Sequence, residues 1–305
     1  MRIANYDSIA SKYDRRYDLY EYAGCKETLG NFLGGAATSV LEVGCGTGHW
    51  LAEIARLKPS RSSDDRGLDD GNGTASAERL DGRSAPVFAE RFGASTVARF
   101  ASEGGKASTD RPILAGVEPS SEMLARARAT APSALLIRAT AEALPWRDGA
   151  FDRVYCINAL HHFRDRLQFF AEARRILKPG GGLLSIGKDP HAERDTWWVY
   201  EYFPETLGID RERFARVRTL RGELAAAGFS WAESFECDHI EAMRPAGEAL
   251  ASGIVDRAYT SQLTVLSDEE FEAGRNGIIE ANAAAGGELQ LATDFYLFAT
   301  IGWLA

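Results

Sequence analysis

The sequence predicts an α/β protein built on a doubly wound, mostly parallel sheet. Three observations carry this reading. Short apolar runs fall at 40–44, 113–118, 134–138, 152–157 and 182–187, helical periodicity lies between them, and a glycine-rich turn follows the first. The first run, VLEVG, turns at glycines into Trp50, Leu51, Ile54 and Leu57 at helical spacing. The second, ILAGVE, stops at Pro119, with Ser120 or Ser121 placed to cap the next helix and Glu122 suited to its positive first turn. A helix is expected near 165–177, ended by Lys178, Pro179 and the glycines at 180–182. Residues 1–35, aromatic and polar, read as a helical lead-in.

Beyond residue 188 the alternation breaks. Residues 189–204 hold Trp197, Trp198, Tyr200, Tyr202 and Phe203. A helix is expected near 211–227, ended by Gly228, then a strand near 229–240, a mostly helical stretch at 245–285 and a final strand near 291–302. This tail extends the sheet and adds helices. The expected organisation is one domain over 1–305, with 189–290 carrying substrate-side elaborations.

Residues 59–111 are out of character, being rich in Ser, Gly, Asp and Arg. A helix-to-strand connection usually takes ~2–6 residues, so this segment reads as a low-complexity insertion between the first helix and second strand. Such connections lie at the sheet edge opposite the ligand crevice. The insertion is therefore expected to be remote from any site and replaceable by a short linker.

Composition narrows the partners. A net charge of −9 disfavours a nucleic-acid ligand. The N-terminus lacks the apolar run of a signal peptide, and the late apolar stretch at 295–305 is well short of the ~20 residues that span a bilayer, so no membrane is expected. Cys25, Cys45, Cys156 and Cys237 are widely spaced without a CxxC pair. They read as reduced thiols in a cytoplasmic chain, with neither a disulfide framework nor a metal site.

The chemistry concentrates in Glu42-Val43-Gly44-Cys45-Gly46-Thr47-Gly48. Glycines here let the backbone approach a ligand, and the following helix offers unpaired amides. A dinucleotide fingerprint requires GxGxxG, but the sixth position is His49. The spacing is GxGxG, with an acid inside the strand. In doubly wound folds a second acid, ~20 residues past the glycines, holds ribose hydroxyls. Glu118 lies 70 residues beyond Gly48, and 17 once the 53 residues of 59–111 are set aside.

VLEVGCGTG, GVEPSSEML, RATAEALPWRDGAFDRVYCINALHHF and ARRILKPGGGLLSIG, in that order, resemble successive motifs of class I S-adenosylmethionine-dependent methyltransferases. The pattern is most similar to the small-molecule group that includes the quinone-biosynthesis C-methyltransferases, over roughly 1–60 and 112–190. The resemblance implies a seven-stranded Rossmann-like fold with helical C-terminal additions, S-adenosylmethionine as cofactor and a small-molecule methyl acceptor. It also implies roles by residue. Gly44, Gly46 and Gly48 would line the methionine part, with Glu42 near its amino group. Glu118 would hold the ribose, with Met123 nearby. The family's Gly-Asp-Ala-Glu reads Ala139-Thr140-Ala141-Glu142 here, so Thr140 stands where an acid usually meets the adenine amine, and Ala141 lies beside it. Asn158 and Ala159 would sit by the sulfonium, and Tyr13 on a covering helix.

His161 is the candidate base for an oxygen or nitrogen nucleophile, against the reading that His161 and His162 cap a helix or pack. The run Arg211, Arg213, Arg216, Arg218 and Arg221 reads as a solvated helix face. The aromatics at 197–203 divide between cap core and substrate wall. Rival functions are S-adenosylmethionine binding without methyl transfer, another transferase chemistry in the same pocket, and a nucleotide-dependent oxidoreductase.

Overall fold

A single mixed sheet of eight strands organises the computed structural model, which describes residues 6–35, 37–57 and 113–305. The lead-in forms α1 (Tyr6–Ile9), α2 (Arg15–Leu19) and α3 (Ala23–Leu33). The alternating region follows as β1 (Ser39–Val43), α4 (His49–Leu57), β2 (Ile113–Val117), α5 (Ser121–Thr130), β3 (Leu135–Ile137), β4 (Phe151–Ile157), α6 (Arg166–Ile176) and β5 (Leu177–Gly187). The tail comprises β6 (Thr196–Trp197), α7 (Trp198–Tyr202), α8 (Glu205–Arg213), α9 (Val217–Ala226), β7 (Trp231–Pro245), α10 (Ala246–Ser252), α11 (Ser261–Thr264), α12 (Asp268–Ala284) and β8 (Gln290–Trp303). The expected insertion at 59–111 lies outside the described residues.

The strand order is β3-β2-β1-β4-β5-β8, and β1 to β5 are parallel. All five residues of β1 are buried, as a central strand covered on both faces requires. On one face Leu41, Val43, Val117 and Val154 pack with Phe169, Phe170, Ala173 and Ile176 of α6. Leu51 and Ala52 of α4 pack with Cys45 and Ala131 in a second cluster. The order reverses between β1 and β4, so the glycine turn opens at the crevice where such sheets bind ligands.

The antiparallel end departs from the seven strands implied by the sequence. β7 pairs along the whole of β8, from Trp231↔Trp303 to Pro245↔Gln290. The other edge of β8 is shared. β5 pairs with it up to Gly187↔Phe298, and β6, only two residues long, resumes at Thr196↔Asp294. Phe295, Tyr296 and Leu297 thus face a break in the ladder, where residues 188–195 leave the sheet. The Tyr296 amide donates to Asp195 Oδ1 at 3.2 Å and partly closes that break.

The helix expected over 211–227 is two helices, α8 and α9, separated at Phe214–Arg216. Two polar contacts account for the interruption. The Val217 amide, in the first turn of α9, donates to Asp189 Oδ2 at 2.9 Å. Arg213 turns inward and donates through Nη2 to Asp210 Oδ1 at 2.6 Å, both side chains being almost wholly buried. The solvated reading of the arginine run therefore fails at Arg213, while Arg211, Arg216, Arg218 and Arg221 are exposed.

At the edge remote from the crevice, Asp152 clasps the starts of β1 and β4 together. Its Oδ2 accepts from the amides and hydroxyls of Thr38 and Ser39, and Oδ1 accepts from Lys178 Nζ at 2.9 Å. Burial pushes its pKa up, but Lys178, Ser39 and Thr38 outweigh it and hold the carboxyl at about 2. A depressed carboxylate stabilises the fold above its unfolded pKa and loses that contribution as pH falls through the folded value. Asp152→Asn is therefore expected to lower stability at neutral pH by ~1–2 kcal/mol, allowing for solvent screening. Urea unfolding of both proteins should show this difference shrinking between pH 4 and about 2; a pH-independent difference would detach it from the charge.

Candidate functional site

The turn after β1 has to reverse the chain within a few residues of two neighbouring strands. The amides of Gly44 and Cys45 both donate to the Val117 carbonyl at 2.9 Å, fixing the turn against the end of β2. Gly44, Gly46 and Gly48 all have positive φ, at 74°, 53° and 83°. Each glycine answers a different demand. A Cβ on Gly44 would lie 2.8 Å from the Ala159 Cβ, whereas one on Gly48 would meet Ala127 of α5 at 3.1–3.3 Å. Gly46 keeps open space, its nearest neighbour being the Tyr13 ring at 3.7 Å.

The turn forms one wall of a cavity of about 320 Å³. At the ~10–15 Å³ that one water position needs, this holds a ligand of nucleoside size or larger. Tyr13, Glu42, Gly44, Gly46, Glu118, Met123, Thr140, Ala141, Asn158 and Ala159 all line it. Gly48 and His161 do not. Gly48 packs its turn closely against Ala127 of α5.

Two carboxylates sit in this wall, and both are buried. Glu42 is 1% exposed and accepts from the Tyr155 hydroxyl at 3.0 Å. Burial drives its pKa well above the usual carboxylate range, the Tyr155 bond pulls the other way, and nearby Glu118 adds to the rise. Glu118 accepts from the Gly46 amide at 3.0 Å and the Ser120 amide at 2.9 Å. Burial outweighs these two bonds and raises its pKa as well. Each oxygen retains acceptor capacity for a ligand.

The lead-in helices close the cavity from above. Asp7 accepts from the Ser120 hydroxyl at 2.5 Å, tying α1 to the cap of α5. The Thr47 hydroxyl donates to Asp14, and Tyr17 stacks on His49 with ring centroids 3.6 Å apart. The Tyr6 hydroxyl is hydrogen-bonded to Nε2 of His162. Tyr6, Asp7, Tyr17 and His162 line the cavity, and sequence reasoning missed them as site residues. The only signal was the density of Tyr and Asp in the first twenty positions.

A second, smaller cavity of about 60 Å³ meets the first at Asn158 and His162, which line both. Asn158 holds a left-handed conformation, φ 52°, with its amide on the Ile186 carbonyl at 2.8 Å. Asn tolerates that region better than most residues. Trp197, Phe295 and Leu297 from the break in the β8 ladder form part of the wall, with Lys188, His161 and Phe214. His161 stacks on Phe214, with centroids 3.9 Å apart. The aromatic segment therefore divides between cavity lining and core. Trp197 is cavity wall, whereas Trp198 and Phe203 pack together as core, Trp198 also against Tyr259.

A buried carboxyl with raised pKa destabilises the fold once pH exceeds its unfolded pKa, because the folded state then holds the proton more tightly. Glu42→Gln is expected to raise the melting temperature of the ligand-free protein at neutral pH by roughly 2–4 °C, the worth of ~1 kcal/mol at this size. The gain should vanish below pH 4.5, the ordinary glutamate value. Calorimetric scans across pH check this; a lower melting temperature at pH 7 would show the charge to be already compensated.

Comparison with known proteins agrees with this architecture. A family profile described as a methyltransferase domain matches residues 96–185. A ubiquinone/menaquinone biosynthesis C-methyltransferase of Acidiphilium cryptum is 54% identical over 116 residues, 30% of this chain and 44% of that protein. A demethylmenaquinone methyltransferase of Thermus thermophilus is 30% identical over 114 residues, 30% of this chain and 50% of that one. The chain thus spans half or less of these relatives. Among solved structures, a protein of Anabaena variabilis described as a methyltransferase from an antibiotic biosynthesis pathway aligns over 90% of this chain and 95% of its own, with TM-score 0.57 and 19% identity. An S-adenosylmethionine-dependent methyltransferase of Thermotoga maritima aligns over 98% of each chain, with TM-score 0.50 and 18% identity. At these identities the structural likeness is one of fold. The profile marks a methyltransferase domain within residues 96–185, and the described residues share the fold of solved structures described as methyltransferases.

Proposed function

We propose that the chain transfers a methyl group from S-adenosylmethionine to a small-molecule acceptor. The observation that carries this reading is the pair of buried carboxylates, Glu42 and Glu118, in the wall of the larger cavity. Burying two acids together is costly unless a cation meets them. S-adenosylmethionine brings an ammonium and a sulfonium, and its ribose needs an acceptor of the Glu118 kind. A dinucleotide fits poorly, since its pyrophosphate would face Glu42 and His49 stands where the GxGxxG fingerprint ends in glycine.

The residues present divide the work. Glu42 is placed to attract the amino group, and Glu118 to accept from the ribose hydroxyls while the Gly46 and Ser120 amides hold it in position. Met123 and Ala141 give apolar contact, and the Thr140 hydroxyl can accept from an adenine amine without charge assistance. Tyr13 covers the ligand. Asn158 and Ala159 border the passage to the smaller cavity, where the acceptor enters. When bound, the cofactor supplies an already activated methyl group, so alignment and exclusion of water are the protein's main contributions. The aromatic wall and the N-terminal cover provide both.

Calorimetry is expected to show binding of S-adenosylmethionine and S-adenosylhomocysteine but not NADH. Glu118→Ala should weaken that binding by ~1.5–3 kcal/mol, the worth of hydrogen bonds to a charged group. Unchanged affinity would remove Glu118 from the site. Trp197→Ala should lower turnover, read as S-adenosylhomocysteine release with an identified acceptor, and leave cofactor affinity nearly intact. Full activity in that variant would place the acceptor elsewhere.

A further inference from the structure

Lys188 follows β5 directly at the crevice edge of the sheet, yet its side chain is only 7% exposed. Lysine is almost never so buried without a reason. Its Nζ lies 4.0 Å from the ring centroid of Trp197, 4.4 Å from that of Phe295 and 4.7 Å from that of Tyr200. Asp195 Oδ2 stands 3.2 Å away. An ammonium has three donors, and rings hold it by their faces without accepting strongly. One carboxylate oxygen therefore leaves Lys188 with capacity toward the cavity it lines, the same cavity that reaches Asn158 and His162.

We propose that Lys188 is the acceptor-side catalytic group, its ammonium holding the oxyanion formed when an acidic hydroxyl on the methyl acceptor gives its proton to water. The inference rests on the methyltransferase reading above. The O–H bond breaks, its electron pair stays on oxygen, the proton passes to water, and the Lys188 ammonium donates to the oxyanion. That oxygen pair then forms the bond to the methyl group. A phenol or enol suits this site, since the rings of Trp197 and Phe214 line the same cavity as Lys188. An acceptor whose nucleophile is a protonated amine suits it badly, because Lys188 would repel it.

The surroundings set the amine's proton affinity between opposing influences. Burial pulls the Lys188 pKa below the usual lysine value, while Asp195 and Asp210 push it back up. Asp210 is itself occupied by Arg213, by the Tyr200 hydroxyl and by Gln262 Nε2. Arg213 and His161 share a small adjoining pocket with Lys188. Two cations thus face two carboxylates. Loss of one proton from Lys188 would leave a net negative group, so these carboxylates favour the ammonium that holds an oxyanion. His161, stacked on Phe214, forms wall in this arrangement and not the base.

The test uses 4-nitrophenol with the S-adenosylhomocysteine-loaded protein, at a pH where the free phenol is mostly protonated. Wild type is expected to bind it as the yellow phenolate, shifting its apparent pKa downward. Lys188→Met should weaken this band's titration roughly tenfold or more, as loss of a hydrogen bond to a charged group does. Lys188→Met/Asp195→Asn removes both charges and is read instead if the single variant loses S-adenosylhomocysteine binding. A wild type that binds S-adenosylhomocysteine without producing the phenolate band overturns the role of Lys188. An undiminished band in the variant overturns it too. Failure of wild type to bind S-adenosylhomocysteine would instead overturn the methyltransferase reading.

Discussion

The structure depends on keeping two carboxylates, Glu42 and Glu118, inside the fold at the end of its central strands. Glu42 occupies a position of β1 where all five residues are buried, and an apolar residue would stabilise the core better. Its hydroxyl partner Tyr155 is itself wholly buried. Glu118 is held by amides of the glycine turn and of the α5 cap, so the site organises the loops that surround it. Destabilising charge and the left-handed backbone of Asn158 are concentrated in one place. The apolar sheet around them supplies the rigidity that holds them there.

A second constraint comes from the antiparallel end. Were β5 to continue along β8, its ladder would fill the space beside Phe295–Leu297. Instead β5 stops at Gly187 and pairing resumes only at Thr196. Strand ends and bulges commonly re-aim side chains next to sites. Here the break buries Lys188 among Trp197, Tyr200 and Phe295, and Asp195 both pairs with it and stitches the exposed amide of Tyr296. One interruption in one ladder therefore creates the smaller cavity and charges its wall.

The parallel half was readable because each strand from β1 to β5 is a short apolar run closed by glycine, proline or a polar cap. Glu118 was readable through spacing, once the odd composition of 59–111 was set aside. What escaped depends on long-range packing. Arg213 sits in a run that looks solvated, and only its partners Asp210 and, through it, Gln262 fifty-two positions later draw it inward. Lys188 in GKDP looks like an ordinary strand-end lysine, since the rings that bury it come from β6, α7 and β8. Gly48 matched a ligand motif although its neighbour is Ala127, because a spacing pattern does not say which side of the turn a missing Cβ faces. His162, adjacent to the expected His161, reaches the larger cavity because the 3-10 turn Leu160–His162 sends the two rings to different walls.

The two cavities differ in charge in a way that bears on the direction of transfer. The larger is acidic, with Glu42 and Glu118 facing inward; the smaller balances Lys188 and Arg213 against Asp195 and Asp210. On the proposed reading, the two carboxylates attract the cofactor more strongly before transfer than after, since transfer removes one positive charge from the ligand they face. Coulomb attraction in a partly desolvated site is worth more than in water, so this difference favours exchange of the product. On the acceptor side the same holds with the signs reversed. An oxyanion beside Lys188 loses its charge on methylation, and the lysine is left holding a proton with a poorer partner. Both walls therefore bind the reactants by charge and hold the products less tightly, so product release is favoured from both cavities.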